Sequence, residues 1–110
     1  MKLTVLGAGC WGLTLAKLLT NNFDNITVWG RHVDLSDELI NKKHATKPLD
    51  IQLDNKVDIT SDLKTAIKDA EIILLVVATS GIRSVCEQLK EADIKSEQVI
   101  VNASDRKSVV

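Results

Sequence analysis

The amino-terminal stretch of this chain restricts its fold more than any other feature. Residues 3–6 are mostly apolar, glycines follow at positions 7, 9 and 12, and an apolar pattern of helical length then continues to Leu19. This succession predicts a strand, a tight turn and a helix. Gly7 would allow a sharp exit from the strand, Gly9 a close approach of pyrophosphate to the main chain, and Gly12 close packing of the helix. The stretch therefore predicts a dinucleotide-binding turn in which the helix N-terminus supplies unpaired amides.

Three other interpretations compete for the same residues. The first interpretation is a lipoprotein signal peptide, because a basic Lys2 and an apolar run precede Ala8-Gly9-Cys10. The apolar run is shorter than the hydrophobic region of a signal peptide, which disfavours this interpretation. A transmembrane helix is disfavoured because the charge-free residues 3–16 are too few to span a bilayer and include three glycines. A strand–helix turn that binds no ligand stays open as the third interpretation.

Composition and charge restrict the class of protein and its partners. The chain has 110 residues, which suits one domain with a sizeable core. Its net charge of -1, with 14 basic and 15 acidic residues, does not indicate a basic surface that would bind nucleic acid or an anionic membrane. Cys10 and Cys86 lack metal-ligand spacing, so we expect reduced thiols, a cytoplasmic location and no metal site.

The rest of the chain alternates β-prone and amphipathic segments. Strands are predicted at residues 3–6, 26–29, 57–60, 72–77 and 98–101. Helices are predicted at residues 10–20, 34–43, 62–68 (with Ser61 as N-cap) and 80–91, and residues 44–55 are predicted as a connection. Such alternation predicts an α/β fold of the Rossmann type, with a doubly wound, five-stranded parallel sheet in the order 3-2-1-4-5.

Ligands of such sheets bind beyond the carboxyl ends of the strands, where the winding reverses beside strand 1. Four segments are expected to meet at that edge: residues 7–12, 30–32, 78–81 and 102–107. Trp11 lies within the first of them, where contact with a cofactor and ordinary packing are both open. No catalytic triad can be assigned from residue spacing.

The end of the second strand decides which dinucleotide is expected. NAD-selective enzymes place an acid there that bonds the ribose 2′-hydroxyl. Gly30 takes that position here, and Arg31 and His32 follow it. Loss of a carboxylate and gain of a guanidinium favour NADPH over NADH, because arginine forms paired, charge-assisted bonds to phosphate. The alternative is that Arg31 is a solvated loop cation and His32 a surface residue.

Several segments together resemble the amino-terminal domain of bacterial NAD(P)-dependent glycerol-3-phosphate dehydrogenase. The resemblance rests on residues 7–12, 28–31, 61–63, 68–74 and 99–104, with Trp11 and Trp29-Gly30-Arg31 as its most specific parts. It implies an NAD(P)-binding domain over residues 1–104 of an enzyme that converts dihydroxyacetone phosphate to sn-glycerol 3-phosphate for phospholipid synthesis. The cofactor contacts that it implies are Cys10, Trp11, Arg31 and His32.

The sequence departs from the family pattern at two places. A small residue is usual where Cys10 stands, which is tolerable because the backbone binds the phosphates. The family continues after strand 5 with a Lys-Gly pair and a helical catalytic domain, whereas Asp105 and Arg106 stand at the Lys-Gly positions here. Residues 105–110 are therefore expected to be a tail of the kind that truncation leaves. No catalytic residue is assigned, and a phosphorylated substrate is expected only if a second domain is present. The alternative function is a stand-alone NAD(H)-sensing domain without catalysis.

Overall fold

A computed structural model describes residues 1–31, 35–45, 50–77, 79–92, 95 and 97–103, with the backbone alone at residues 10 and 79–82. The main sheet contains β1 (Lys2–Leu6), β2 (Asn25–Trp29), β5 (Val57–Thr60), β6 (Ile72–Leu75) and β7 (Val99–Asn102). The helices are α1 (Cys10–Leu18), α2 (Asp37–Lys42), α3 (Leu63–Ile67) and α4 (Thr79–Glu91). A short pair of strands, β3 (His44–Ala45) and β4 (Ile51–Gln52), and a 3₁₀ turn, Thr20–Asn22, complete the described elements.

The five strands of the main sheet are all parallel and lie in the order β5-β2-β1-β6-β7. Counted along the chain without the short pair, this is the order 3-2-1-4-5, so the predicted Rossmann topology is confirmed. The register places the last residues of the strands level with one another: Leu6 beside Trp29 and Leu75, Trp29 beside Thr60, and Leu75 beside Asn102. The carboxyl ends of all five strands therefore lie at the same edge of the sheet.

Both faces of the sheet are covered at its central strands, as the unbroken apolar run at residues 72–77 indicates. The residues of the edge strand β7 are exposed. On one face, Val5 and Val28 pack with Leu13 of α1 and with Ile51 and Leu53 of the β3–β4 segment. On the other face, the sheet packs against α3 and α4. The buried residues of that second cluster are Leu6, Trp29, Leu63, Ala66, Ile67, Ala70, Ile73, Leu75, Val85 and Leu89. None of the described helices is long and apolar enough to cross a membrane.

Two local expectations were wrong. Residues 44–55 were expected as connection, but β3 and β4 pair antiparallel there, and the Leu53 amide extends the pairing to the Lys43 carbonyl at 2.7 Å. Strands of two residues are too short to leave a periodic pattern in the sequence. Asp62, not Ser61, is the N-cap of α3, and its carboxylate accepts a hydrogen bond of 2.6 Å from the Thr65 hydroxyl.

Candidate functional site

Gly7 makes the exit from β1 and has a backbone conformation that favours glycine. Its φ is +136°, and a Cβ built on it would lie 2.4 Å from the Val76 carbonyl oxygen. The Gly7 amide donates to the Trp29 carbonyl at 2.7 Å, which joins the turn to the end of β2. The sharp turn after β1 therefore requires glycine at position 7.

Gly12 lies in the first turn of α1, directly against the preceding turn. A Cβ at this position would approach the Gly7 carbonyl oxygen to 2.1 Å and the Val5 side chain to 3.6 Å. The carbonyl oxygen belongs to the backbone and cannot rotate away. Gly12 thus allows the start of α1 to pack onto β1 and its turn, which is the structural role that its spacing indicated.

Gly9 differs from the other two glycines because nothing lies within 4 Å of a Cβ built there. It is the N-cap of α1, with φ of -77° and ψ of -176°, and no side chain of the described residues caps the helix at this point. The first turn of α1 also lacks an acidic residue. The first amides of a helix have no intrahelical partner, and the helix dipole favours an anion there. Open space beside these amides is what a pyrophosphate needs, so the residues fit a dinucleotide.

The two tryptophans differ in their surroundings. Trp29 is 4% exposed and donates its indole N–H to the Ser61 carbonyl at 2.9 Å, so it belongs to the core. Trp11 is 47% exposed, and its indole N–H donates to the Ala103 carbonyl at 2.8 Å. The Trp11 side chain therefore reaches from the start of α1 to the residue after β7. Its exposed surface borders the edge where a ligand is expected.

Gly30 is buried at the end of β2, the position at which NAD-selective enzymes carry an acid. A Cβ at Gly30 would lie 2.7 Å from the Ala8 Cβ and 3.0 Å from the Leu35 side chain. A side chain at position 30 is therefore accommodated only if the glycine turn or Leu35 shifts. Arg31 follows directly and is exposed. This packing reason for glycine was missed in the sequence, because it depends on a contact between two separate turns.

The structure brings three of the four expected segments together. The Val76 amide donates to the Leu6 carbonyl at 2.9 Å, and the Ala103 amide donates to the Leu75 carbonyl at 2.8 Å. Gly30 lies against Ala8, and the Trp11 indole bonds to the Ala103 carbonyl, so the described parts of segments 7–12, 30–32 and 102–107 meet around the N-terminus of α1. The helix α4 begins just beyond β6. His32, the Cys10 side chain, the side chains of residues 79–81 and residues 104–107 lie outside the described part of the chain.

Comparison with known proteins agrees with this arrangement. The family profile described as the N-terminus of NAD-dependent glycerol-3-phosphate dehydrogenase matches residues 2–105. The chain is 36% identical over 100 residues to a glycerol-3-phosphate dehydrogenase (NAD(P)+) of Thermoanaerobacter sp. (strain X514), covering 91% of this chain and 30% of that protein. It is 39% identical over 105 residues to the enzyme of the same name from Fusobacterium nucleatum, covering 94% of this chain and 31% of that protein.

Solved structures show the same relationship. A glycerol-3-phosphate dehydrogenase from Plasmodium falciparum superposes with a TM-score of 0.79 at 26% identity, over 93% of this chain and 31% of that chain. The enzyme from Coxiella burnetii gives a TM-score of 0.80 at 22% identity, over 94% and 32%, which shows the shared fold. The chain spans about a third of the length of these relatives. It belongs to the NAD-dependent glycerol-3-phosphate dehydrogenase family and corresponds to the N-terminal region of its members.

Proposed function

We propose that this chain is the cofactor-binding part of an oxidoreductase that interconverts dihydroxyacetone phosphate and sn-glycerol 3-phosphate for phospholipid synthesis. The observation that carries the proposal is the uncapped N-terminus of α1, which opens at Gly9 onto free space at the carboxyl edge of the sheet. Family membership supports the same function. A cytoplasmic location belongs to this proposal and is supported by Cys86, which is a free thiol.

The proposed roles of the glycines and of Trp11 are supported by their positions. Gly7 and Gly12 shape the turn, Gly9 admits the pyrophosphate, and the amides at the start of α1 bind its oxygens. Trp11 would contact the dinucleotide with its exposed ring surface. The proposed cofactor-binding residues are Gly7, Gly9, Cys10, Trp11, Gly12, Arg31 and His32. The bound dinucleotide would supply the hydride, and this chain would hold and orient it.

We expect this chain to bind NADPH at least as tightly as NADH. The exposed Arg31 directly follows a buried position that has no room for a carboxylate. Replacing Arg31 by alanine should weaken NADPH binding by about tenfold, because a charge-assisted bond to the 2′-phosphate is lost. NADH binding should change little, and added salt should reduce the NADPH preference. Calorimetric titration with both cofactors measures these affinities.

A matched control for Arg31→Ala is Lys95→Ala. Lys95 is exposed and precedes β7, so the same charge is removed near the opposite edge of the sheet. The control should bind NADPH like the wild type. Equal NADPH affinity in the wild type and in Arg31→Ala would overturn the assignment of Arg31. Tighter binding of NADH than of NADPH by the wild type would favour the NAD(H)-sensing alternative.

We further expect that the 110-residue chain does not turn over dihydroxyacetone phosphate. Reduction of a ketone needs preorganised charge at the developing alkoxide and exclusion of water. Asp105 stands where the resembling family has lysine, and the edge at Gly9 is open. With saturating substrate, the absorbance of NADPH should decrease no faster than without protein. Robust oxidation by the pure chain would show that its own residues form a substrate site.

A further inference from the structure

His44 joins two elements that lie apart from the cofactor edge. The residue begins β3, and its Nδ1 lies 2.6 Å from the Glu38 carboxylate on α2. Its Nε2 contacts the carboxylate of Asp50, which directly precedes β4. One imidazole ring thus bridges α2 and the β3–β4 hairpin (residues 44–45 and 50–52) through two carboxylates.

The geometry of this bridge requires that the imidazole ring of His44 be protonated. Carboxylates only accept hydrogen bonds, whereas a neutral imidazole carries a single N–H. Both contacts of His44 are therefore hydrogen bonds only when the ring is an imidazolium with two N–H donors. The hydrogen bond to Glu38, followed by the one to Asp50, raises the pKa of His44 above its ordinary value.

Two short elements meet at His44, and few other bonds join them. The Gln52 side-chain amide donates to the Lys42 carbonyl at 3.0 Å, and the Leu53 amide donates to the Lys43 carbonyl at 2.7 Å. The helix α2 has six residues, and Leu39 is its buried residue. Each strand of the hairpin has two residues, although Ile51 in β4 and Leu53 after it are buried in the same cluster as Leu13 of α1. Helices and hairpins of this size are marginal without tertiary contacts. A side-chain bridge between them therefore affects how often this corner opens.

Other charged groups near His44 do not replace these partners. Lys43, the preceding residue, directs its ammonium to the Ile40 carbonyl at 3.5 Å. Asp37 is exposed in the first turn of α2, and Lys42 is exposed in the last turn. Among the described residues, Glu38 from α2 and Asp50 before β4 are the charged groups that hydrogen-bond to the ring.

We propose that His44 is a pH-sensitive clamp that strengthens the contact between α2 and the β3–β4 hairpin while its imidazole is protonated and weakens that contact when it loses the proton. Because the folded protein holds this proton more tightly than the unfolded chain, the stabilisation is fully present below the ordinary pKa of histidine. It is lost as pH rises through the elevated pKa of the folded state. Opening of this corner therefore increases at alkaline pH.

Amide hydrogen exchange at Lys43 and Leu53 tests the clamp. The Leu53 amide bonds across the corner to the Lys43 carbonyl, and the Lys43 amide closes the last turn of α2 on the Leu39 carbonyl. After correction for intrinsic exchange, their protection should fall about two- to fivefold between roughly pH 6 and pH 9, the effect of a partly exposed ion pair. In His44→Gln, protection should be low at both pH values. The pKa of His44 in the wild type, measured by NMR titration, should lie above the ordinary value.

Variants of the two carboxylates refine the test. Glu38→Gln should lower the pKa of His44 more than Asp50→Asn does, because the side chain of Glu38 is 42% exposed and that of Asp50 is 81% exposed. Asp37→Asn, which removes a neighbouring charge of α2, should leave the pKa nearly unchanged. The clamp is overturned if wild-type His44 titrates at the ordinary value. It is also overturned if His44→Gln keeps the same pH-dependent protection as the wild type.

Discussion

Gly9→Val is expected to abolish dinucleotide binding while the protein stays folded. A Cβ at Gly9 meets nothing within 4 Å, and the φ of -77° at this residue suits any amino acid. The valine side chain would instead occupy the space beside the first amides of α1, where the pyrophosphate binds in our proposal. Loss of several charge-assisted hydrogen bonds should weaken NADPH binding more than about 100-fold. Calorimetric titration measures binding, and circular dichroism measures the melting temperature.

Gly9→Ala gives a graded control for this experiment. Its smaller side chain should weaken binding less than valine does and should leave the melting temperature close to that of the wild type. A valine variant that binds NADPH like the wild type would exclude the proposed phosphate site at Gly9. A valine variant that unfolds would contradict the open surroundings of Gly9, and its role in binding would then be unproven.

Gly12→Ala is expected to have the opposite effect and to destabilise the fold itself. The added Cβ would lie 2.1 Å from the Gly7 carbonyl oxygen, so α1 and the turn would have to move apart. Overpacking against backbone should cost about 3 kcal/mol, a large part of the stability of a small domain. The melting temperature should then fall by roughly 15 °C. Thermal unfolding followed by circular dichroism measures the change.

Gly7→Ala should be destabilised to a similar extent, because it adds strain at φ +136° to a contact of 2.4 Å with the Val76 carbonyl. The contrast between Gly9 and the other two glycines is the important result. If Gly12→Ala and Gly7→Ala melt at the same temperature as the wild type, the close backbone contacts described for Gly7 and Gly12 are contradicted. Cofactor loss in those two variants would follow from their loss of structure.

The sequence was sufficient to predict the main sheet and the edge at which its segments meet. Alternating strands and helices leave few topologies, and the glycine spacing identified the turn next to strand 1. Contacts between distant residues could not be predicted in the same way. The bond from Trp11 to Ala103 and the fit of Gly30 against Ala8 depend on how separate turns meet in space.

The β3–β4 hairpin shows the other limit of sequence-based prediction. Its strands have two residues each, and its position depends on a few side chains and on the buried Leu53. Such contacts leave no periodic pattern, so the segment resembles connection in the sequence. Capping is similarly local: Ser61 and Asp62 are both favourable N-cap residues, and the helix begins after the second.

The central claim is that a dinucleotide binds at the carboxyl edge of the sheet on the N-terminus of α1. Titration of the isotope-labelled chain with NADPH, followed by amide NMR shifts, tests it most directly. We expect saturable shifts at Trp11, Gly12 and Arg31, and unchanged amides at Asp24 and Val57 near the amino edge. Shifts confined to that opposite edge, or none at the start of α1 with NADPH in excess, would contradict the claim.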